Sequence, residues 1–526
     1  MIVVIVMSAA SARVEFDLQT IHASELRELE RFAVNCEQPA TASFWCSNQG
    51  ETLQLVTTKG IDVLFNDAGE IVALYSKPQK GADLGRNYNL SDGQNLIPAD
   101  STVPGGAVLI GGLYSMPEDA RSEWRQVAET QLQGSFEYSV GDYLVNKTIA
   151  VYFTQQTMDV SFTVPRDAAT RGAAADDEVA GETTAETTGE TTGEIQVQYV
   201  MPGVARQTTP TIKVGQAGQY SLNPVSAAIA NPSYISLQTA NNNRDHALIM
   251  RPVAQDGELA AMSLPPRQIA MMKTLEGGEQ SVSFDLQVYG GRNELVRYHQ
   301  EGYRDLPGLF EPNLLGRLSL GIIMVLEAIH GVVLSWGLSI IVLTLLIRIL
   351  IWPLIATQTK SMVGMQQIQP KMQALQKKYK DNREKLTQET MKLYKEAGVN
   401  PAGGCLPIFA QMPIFIMLWQ VFMNYEFAEG FLWVPDLGLY DPTYILPILY
   451  IGVMVGYSFL MAKGNPQSLK MQLMINLVFI FFIIRFPAGV TLYWVASMLV
   501  QVFQHWVIQR QMAVPVPVKA KPQGSK

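Results

Sequence analysis

The chain reads as a membrane-embedded α-helical bundle of five core spans with a cytoplasmic helical hairpin. An all-β sandwich domain precedes it, on the other side of the membrane. Three observations predict this. Five long apolar runs follow residue 336. Residues from about 50 to 290 are instead short β-branched or alternating runs, punctuated by Gly, Pro, Asn and Asp. Charge is split between the two parts: residues 358–526 carry 16 Lys and Arg against 8 Asp and Glu, and residues 1–357 carry 23 against 39, within a net charge of −8. The basic residues lie between apolar runs, where loops beside a membrane place them, which argues against a nucleic-acid binder.

Residues 1–12, MIVVIVMSAASA, form a short apolar run ending in small residues. It resembles the end of a signal-peptide core and its cleavage site, or a truncated anchor, and is shorter than the roughly 20 residues of a span. Residues 13–300 are the expected β domain. Its strands are predicted at TLQLVTT, GIDVLFN, EIVALYS, TIAVYFT, DVSFTV, IQVQYV, ALIMRPV and SVSFDLQVY. Many short strands with turn signals between them predict a sandwich. Gly111-Gly112 and Gly290-Gly291 read as turns or bulges rather than phosphate loops. Residues 167–194 end in GETTAETTGETTGE and contain no aromatic residue, so they are expected to be a disordered acidic insertion. Cys36 and Cys46 are ten residues apart; a disulfide outside the cytoplasm and two unrelated small apolar residues remain equally open. No Cys-x-x-Cys pair or Cys/His cluster occurs, so neither a metal site nor a cofactor is expected, and no catalytic constellation stands out.

Residues 301–335 read as a linker followed by an interfacial amphipathic helix. Leu314, Leu318, Ile322, Val325, Leu326 and Ile329 share one face, and Arg317, Glu327 and His330 interrupt it. A further span is the competing reading. The core, 336–510, has spans expected at 336–357, about 405–425, 443–461, 471–486 and 488–508, the last two joined by a Phe-Pro-Ala-Gly turn. Loop 358–404 carries nine Lys and Arg, whereas loop 426–442 has none and holds Glu426, Glu429, Asp436 and Asp441. Basic loops face the cytoplasm, as does the basic tail 511–526, and the β domain therefore lies outside. Arg485 is an exception that snorkelling accommodates.

Arg348 is the sharpest feature. An arginine at the centre of a span costs about 2.5–3.5 kcal/mol on insertion scales. The span ends ten residues on, near Gln358, a reach of about 15 Å at 1.5 Å per residue and longer than the side chain. Arg348 should therefore face a partner or a hydrated cavity. The five spans contain no Asp or Glu to neutralise it. Their other polar residues are neutral: Thr344, Gln411, Gln420, Asn424, Ser458, Asn476, Thr491, Ser497 and Gln501. Singly, these suit ordinary interhelical hydrogen bonds; with Arg348 they suit the lining of a hydrated groove. An unmatched positive charge implies that the counter-charge arrives with a substrate and argues against a proton relay.

The hairpin 358–404 is expected as helices at 359–379 and 383–397. Met362, Met365, Ile368, Met372 and Leu375 form an apolar stripe on the first, and Leu386, Thr390, Leu393 and Ala397 a weaker one on the second. Lys377 and Lys378 belong to a basic outer face. Self-packing and a docking surface for lipid headgroups, ribosomes or nascent chains are both open; methionine suits adaptable contacts.

WGLSIIVLTLLIRILIWPL, the hairpin, NPAGGCLPIFAQMPIF, YILPIL and FPAGVTLYWVASMLVQ follow one another in an order and spacing that resembles the YidC membrane protein insertases, over about 314–510. The β region resembles, in length and position, the periplasmic domain of Gram-negative members. The family's groove arginine falls on Arg348 and its groove threonine on Thr344. Its second-span segment falls on Gln411, Met412 and Phe415, and its aromatic position in the last span on Trp494. Gln501 joins this candidate groove from its own polarity. Two departures are the N-terminal stub, where those members begin with an uncleaved span, and the acidic Thr-rich tract.

The resemblance implies a multi-pass protein of the bacterial inner membrane, with a periplasmic β domain and a cytoplasmic C-terminus. It implies a non-enzymatic insertase that receives nascent membrane proteins in a hydrophilic groove open to cytoplasm and lipid. Apolar helices would then be released into the bilayer, alone or with the Sec translocon. Implied partners are nascent membrane proteins, the Sec translocon and ribosomes, with membrane lipids and without a nucleotide. Two other classes stay open: a polytopic transporter, which would need a substrate site at a repeat interface that the spans do not display, and a membrane-anchored β-domain interaction protein.

Overall fold

The computed structural model describes residues 17–22, 52–76, 94–95, 103–166, 194–201, 211–222, 228–238, 246–253, 259–264, 268–276, 279–310, 313–380, 382–397, 406–427, 429–462 and 466–512. Residues 1–12, Cys36, Cys46, the acidic tract up to residue 193 and the tail beyond residue 512 lie outside the described residues. The chain forms two compact units, one ending at Asn313 and one beginning at Leu314.

The first unit is built from three antiparallel sheets. One runs in sequence order: β1 (Asp17–His22), β2 (Thr52–Thr57), β3 (Ile61–Phe65), β4 (Ile71–Ser76) and β5 (Gln94–Asn95). The largest has the order β13 (Gln219–Leu222), β12 (Thr211–Gln216), β15 (Tyr234–Gln238), β16 (His246–Pro252), β19 (Ser281–Arg292), β10 (Thr157–Pro165), β9 (Tyr143–Tyr152), β8 (Gln131–Val140) and β7 (Glu118–Ala128). The third has the order β14 (Ile229–Ala230), β17 (Leu259–Leu264), β18 (Gln268–Leu275), β11 (Ile195–Val200) and β6 (Val108–Ile110).

Alternation drives the packing. Leu132, Phe136, Tyr138 and Val140 of β8 turn inward, as do Val282, Phe284, Leu286 and Val288 of β19. Phe162 and Phe284 face each other across β10 and β19, with ring centroids 4.6 Å apart. One core draws residues from all three sheets, among them Val63, Phe136 and Val197.

Gly111 and Gly112 do form a turn, with φ of 66° and 76°. Gly290 and Gly291 do not: they lie inside the paired strand β19. A Cβ on Gly290 would come within 2.7 Å of Leu74 Cδ2, and one on Gly291 would strike Gln156. These glycines admit close neighbours in a packed sheet; the Gly-Gly pair by itself does not tell that role from a turn.

Lys147 is buried beneath the sheets. Its Nζ donates to the carbonyls of Gly69 (2.8 Å) and Gly106 (2.6 Å). Burial pulls this ammonium down from the usual lysine range to about 7, against the opposing pull of Glu70.

The segment expected as a linker is strapped to the domain. After the short helix α1 (Leu295–Gln300), main-chain carbonyls accept from Arg251 (Gly302, 2.8 Å), Tyr234 (Pro307, 2.6 Å), Lys213 (Gly308, 2.7 Å) and Gln238 (Leu309, 2.8 Å). Tyr303 and Leu309 are buried beside Tyr234, Tyr289 and Tyr298.

The second unit is helical. Its helices are α2 (Leu314–Val333), α3 (Trp336–Leu350), α4 (Trp352–Lys378), α5 (Arg383–Glu396), α6 (Leu406–Asn424), α7 (Ile445–Ala462), α8 (Pro466–Ile483) and α9 (Ala488–Met512). Among the described residues, α2 is long and apolar enough to cross a membrane by length and composition, and α3 is a shorter apolar helix. The stretch 336–357, expected as one span, is broken. Ile351 leaves the helix, with φ −89° and ψ 4°, and α4 starts at Trp352-Pro353. Pro353 has no N–H to offer the carbonyl of Ile349, and its ring crowds that carbonyl. The first hairpin helix therefore begins at Trp352 and runs 27 residues without interruption.

The helices pack α6 on α2, α2 on α3, α3 on α9, α9 on α7 and α7 on α8, and α6 also touches α9 through Gln411–Tyr493 and Phe415–Trp494. The face that α2 turns to its neighbours is Ser319, Ile323 and Leu326, while Leu314, Leu318 and Val325 of the expected apolar stripe are exposed. Polar contacts set this rotation. Ser319 donates to Gln420 (2.9 Å), Tyr425 donates to Glu327 (3.1 Å), and His330 stacks on Trp336 at 3.9 Å.

At one end of the bundle the acidic segment 429–444 packs against the helices. Carbonyls of Leu439 and Leu437 accept from the first α9 amides, Ala488 (2.6 Å) and Gly489 (2.8 Å). Asp441 accepts from Thr443 N–H (2.9 Å) and hydroxyl (2.7 Å), Leu446 N–H (2.8 Å) and Trp433 Nε1 (3.2 Å). Phe431 lies so close over Gly337 that any side chain there would displace it.

Two predictions follow from these buried charges. Lys147→Met leaves the carbonyls of Gly69 and Gly106 unpaired and should cost at least about 2 kcal/mol, read as a lowered unfolding midpoint of the β signal. Between pH 7 and 10 the unfolded chain holds the Lys147 proton more tightly than the folded one, so wild-type stability should rise with pH across that window relative to the variant. Asp441→Ala should cost about 1–3 kcal/mol near neutral pH. Burial acts to raise the Asp441 carboxyl, but the hydrogen bonds from Leu446, Thr443 and Trp433 hold it below the usual range. Its contribution is therefore present above the ordinary aspartate range and disappears as pH falls through the lowered value, and the wild-type and variant melting curves should converge in acid.

Candidate functional site

Arg348 lies two residues before the end of α3 and is 6% exposed. Its Nε has no hydrogen-bond partner among the described residues. The ionisable groups that face it are the phenols of Tyr493 on α9 and Tyr457 on α7. Each phenol is held by an amide: Gln411 Nε2 donates to the Tyr493 hydroxyl at 2.6 Å, and Gln501 pairs with Tyr457. Helices α3, α6, α7 and α9 thus meet around one cation through neutral dipoles.

Thr344 is one turn before Arg348 and fully buried. Its hydroxyl donates to the carbonyl of Ile340 in its own helix (2.6 Å), leaving only its oxygen free to accept. Phe415 and Trp494 stand apart from the polar centre. Their rings are 5.2 Å apart and belong to an aromatic cluster with Trp419, Phe486 and Tyr450. Met412, 47% exposed, lies on the surface of α6. The structure therefore joins Arg348, Gln411 and Gln501 through two tyrosines, sets Thr344 just beyond them, and places Phe415 with Trp494 in an adjoining apolar wall.

Tyr493, Tyr457, Gln504 and His505 are buried or half-buried polar residues of this interior that the sequence reading left out. The tyrosines pass as aromatic anchors in a hydropathy reading. Gln504, three residues beyond Gln501, could have been found from helical spacing.

On the hairpin, Lys377 and Lys378 are exposed. Tyr379 lies under the ammonium groups of Lys378 (5.3 Å) and Lys385 (5.8 Å). Thr390 of α5 donates to Met372 Sδ of α4 at 3.7 Å, so Met372 serves the hairpin's own packing. The side chains of Met362 and Met365 lie outside the described residues.

Residues 328–515 match the sequence model of a family described as 60Kd inner membrane protein. The membrane protein insertase YidC of Deinococcus radiodurans is 35% identical over 325 residues, covering 60% of this chain and 74% of that protein. The membrane protein insertase YidC of Cellvibrio japonicus is 43% identical over 195 residues, covering 36% of this chain but only 35% of its own length. A crystal structure of an active YidC insertase with its first transmembrane domain resolved shares the fold, with a TM-score of 0.50 at 19% identity, over 86% of this chain and 91% of that one. These are insertases rather than enzymes. The match to the Deinococcus protein covers 74% of that protein, and the family model covers the segments that meet around Arg348: the chain belongs to the YidC membrane protein insertase family.

Proposed function

We propose that this protein inserts other membrane proteins into a bacterial inner membrane, with Arg348 as the point that draws in the client's polar segment. The observation that carries this reading is a buried guanidinium that faces two phenols, each held by an amide, and no carboxylate among the described residues. In a low-dielectric setting such a charge is poorly compensated, so an acidic or polar client segment entering beside it lowers both its own transfer cost and that of the arginine.

The two ends of the bundle support access from one side. The acidic loop closes one end with Phe431 over Gly337 and with the carbonyls of Leu437 and Leu439 on α9. In this reading that end is periplasmic, with the β domain, and the basic hairpin and tail are cytoplasmic. Five helices, α3, α6, α7, α8 and α9, serve as the core spans, and α2 lies against α3 and α6.

Apolar residues exposed on the outer faces of α6 and α8, such as Met412 and Phe481, support release of an apolar client helix into lipid along those faces. Phe415, Trp494 and Met412 offer it an apolar path. Hydrophobic burial of the client and the membrane potential supply the driving force, without nucleotide or cofactor. Nascent chains, the ribosome and lipid headgroups are the partners for the exposed Lys377 and Lys378 face of the hairpin, and the Sec translocon is a further partner of the protein.

The test uses cells depleted of the native protein. Arg348→Ala and Arg348→Glu are expected to lower insertion of a client with an acidic translocated segment by about tenfold or more, the worth of one charge-assisted hydrogen bond, and Arg348→Lys to retain much of it. Photo-crosslinkers at Thr344, Phe415 and Trp494 are expected to capture a stalled nascent chain. Normal insertion by all three Arg348 variants would refute the electrostatic reading.

A further inference from the structure

Gln504 is 1% exposed, and neither its amide oxygen nor its amide nitrogen is hydrogen-bonded among the described residues. Ser497, 3% exposed, also leaves its hydroxyl unpaired. Both lie on α9, 4 and 11 residues after Tyr493. Those intervals are close to one and three helical turns, so the three side chains share one face. Tyr493 accepts from Gln411 and faces Arg348. The stripe therefore descends from the arginine toward the end of α9 that precedes the basic tail.

An enclosed primary amide with no partner destabilises the closed packing, and a leucine of similar volume would avoid that penalty. Such a residue needs a reason other than stability. A primary amide carries one acceptor and two donors, the complement of a main-chain peptide group. A polar segment passing along α9 as extended chain would bring unpaired peptide groups past it, whatever its side chains.

We propose that Gln504, with Ser497 above it, hydrogen-bonds the main chain of the client's polar segment as it enters and parts α9 from its neighbours. This rests on the reading of Arg348 as the client's charge partner and divides the labour: Arg348 senses charge, and Gln504 senses backbone. The unpaired state of Gln504 in the closed bundle also lowers the cost of parting the helices, because entry supplies the missing partners.

The experiment uses the full chain in depleted cells and, purified in detergent, in thermal unfolding. Two clients share one apolar helix and carry translocated segments of equal length, one of neutral Gly and Ser and one acidic. Gln504→Leu is expected to lower insertion of both clients by roughly five- to tenfold, the worth of about one hydrogen bond, with Tm unchanged or raised. Gln504→Asn, which keeps the amide, should recover part of the loss. Arg348→Ala should affect chiefly the acidic client. Three results would overturn the inference: normal insertion of both clients by Gln504→Leu, a loss confined to the acidic client, or a loss accompanied by a lowered Tm. If Arg348→Ala is defective while Gln504→Leu is normal, only this inference fails. If Arg348→Ala inserts both clients normally, the reading beneath it fails as well.

Discussion

A guanidinium inside an apolar bundle has to be compensated by something, and the helical unit is arranged around that need. With no acidic residue in α3, α6, α7, α8 or α9, the compensation comes from dipoles. Tyr493 and Tyr457 face Arg348, and Gln411 and Gln501 hold those tyrosines. Three helices besides α3 are thereby fixed in rotation by a single charge. The compensation is incomplete, since Nε stays unpaired, and a carboxylate within the bundle would have completed it at the expense of any affinity for an incoming anion.

The ends of the bundle differ for a related reason. At the acidic end, several groups that a helix terminus leaves open find partners close in sequence or space: Asp441 takes the Leu446 amide in the first turn of α7, and the carbonyls of Leu439 and Leu437 take the amides of Ala488 and Gly489 on α9. Backbone hydrogen bonds satisfied this locally are hard to open. At the other end, α4 continues as one long helix, and α9 carries an amide, Gln504, with no partner among the described residues. Rigidity at one end and unspent hydrogen-bonding capacity at the other give the bundle a direction.

Much of this was legible in the residues. Strands such as Ile61–Phe65 and Ile195–Val200 were found because short β-branched runs bounded by turn residues mark a strand whatever the sheet order. Arg348 was found because one cation in an apolar run is visible without a structure. Other features were not legible. Hydropathy averages over Pro353, so the break at Ile351 was read as continuous span. The buried face of α2 follows the polar contacts of Ser319, Glu327 and His330 and takes in Leu326 but not Leu314, Leu318 or Val325 of its apolar stripe, because lipid accepts leucine as readily as a neighbouring helix does. Gly290 and Gly291 were read as a turn or bulge, since close approach depends on Leu74 and Gln156, more than a hundred residues away in sequence.

Residue order marked the apolar helices, strands such as β2, β3, β9 and β19 but not β7, β8 or β18, where basic and acidic loops fall, and that one arginine has no acidic partner in the spans. Those are local or additive properties, carried by periodicity, composition and charge. Which side chains surround Arg348 was decided only in three dimensions. Tyr457 and Tyr493 are apolar or polar according to what their hydroxyls meet, and Gln501 pairs with Tyr457 where Gln504 has no partner among the described residues. A hydrogen bond belongs to a pair of groups, and the pairing exists only once the helices have packed.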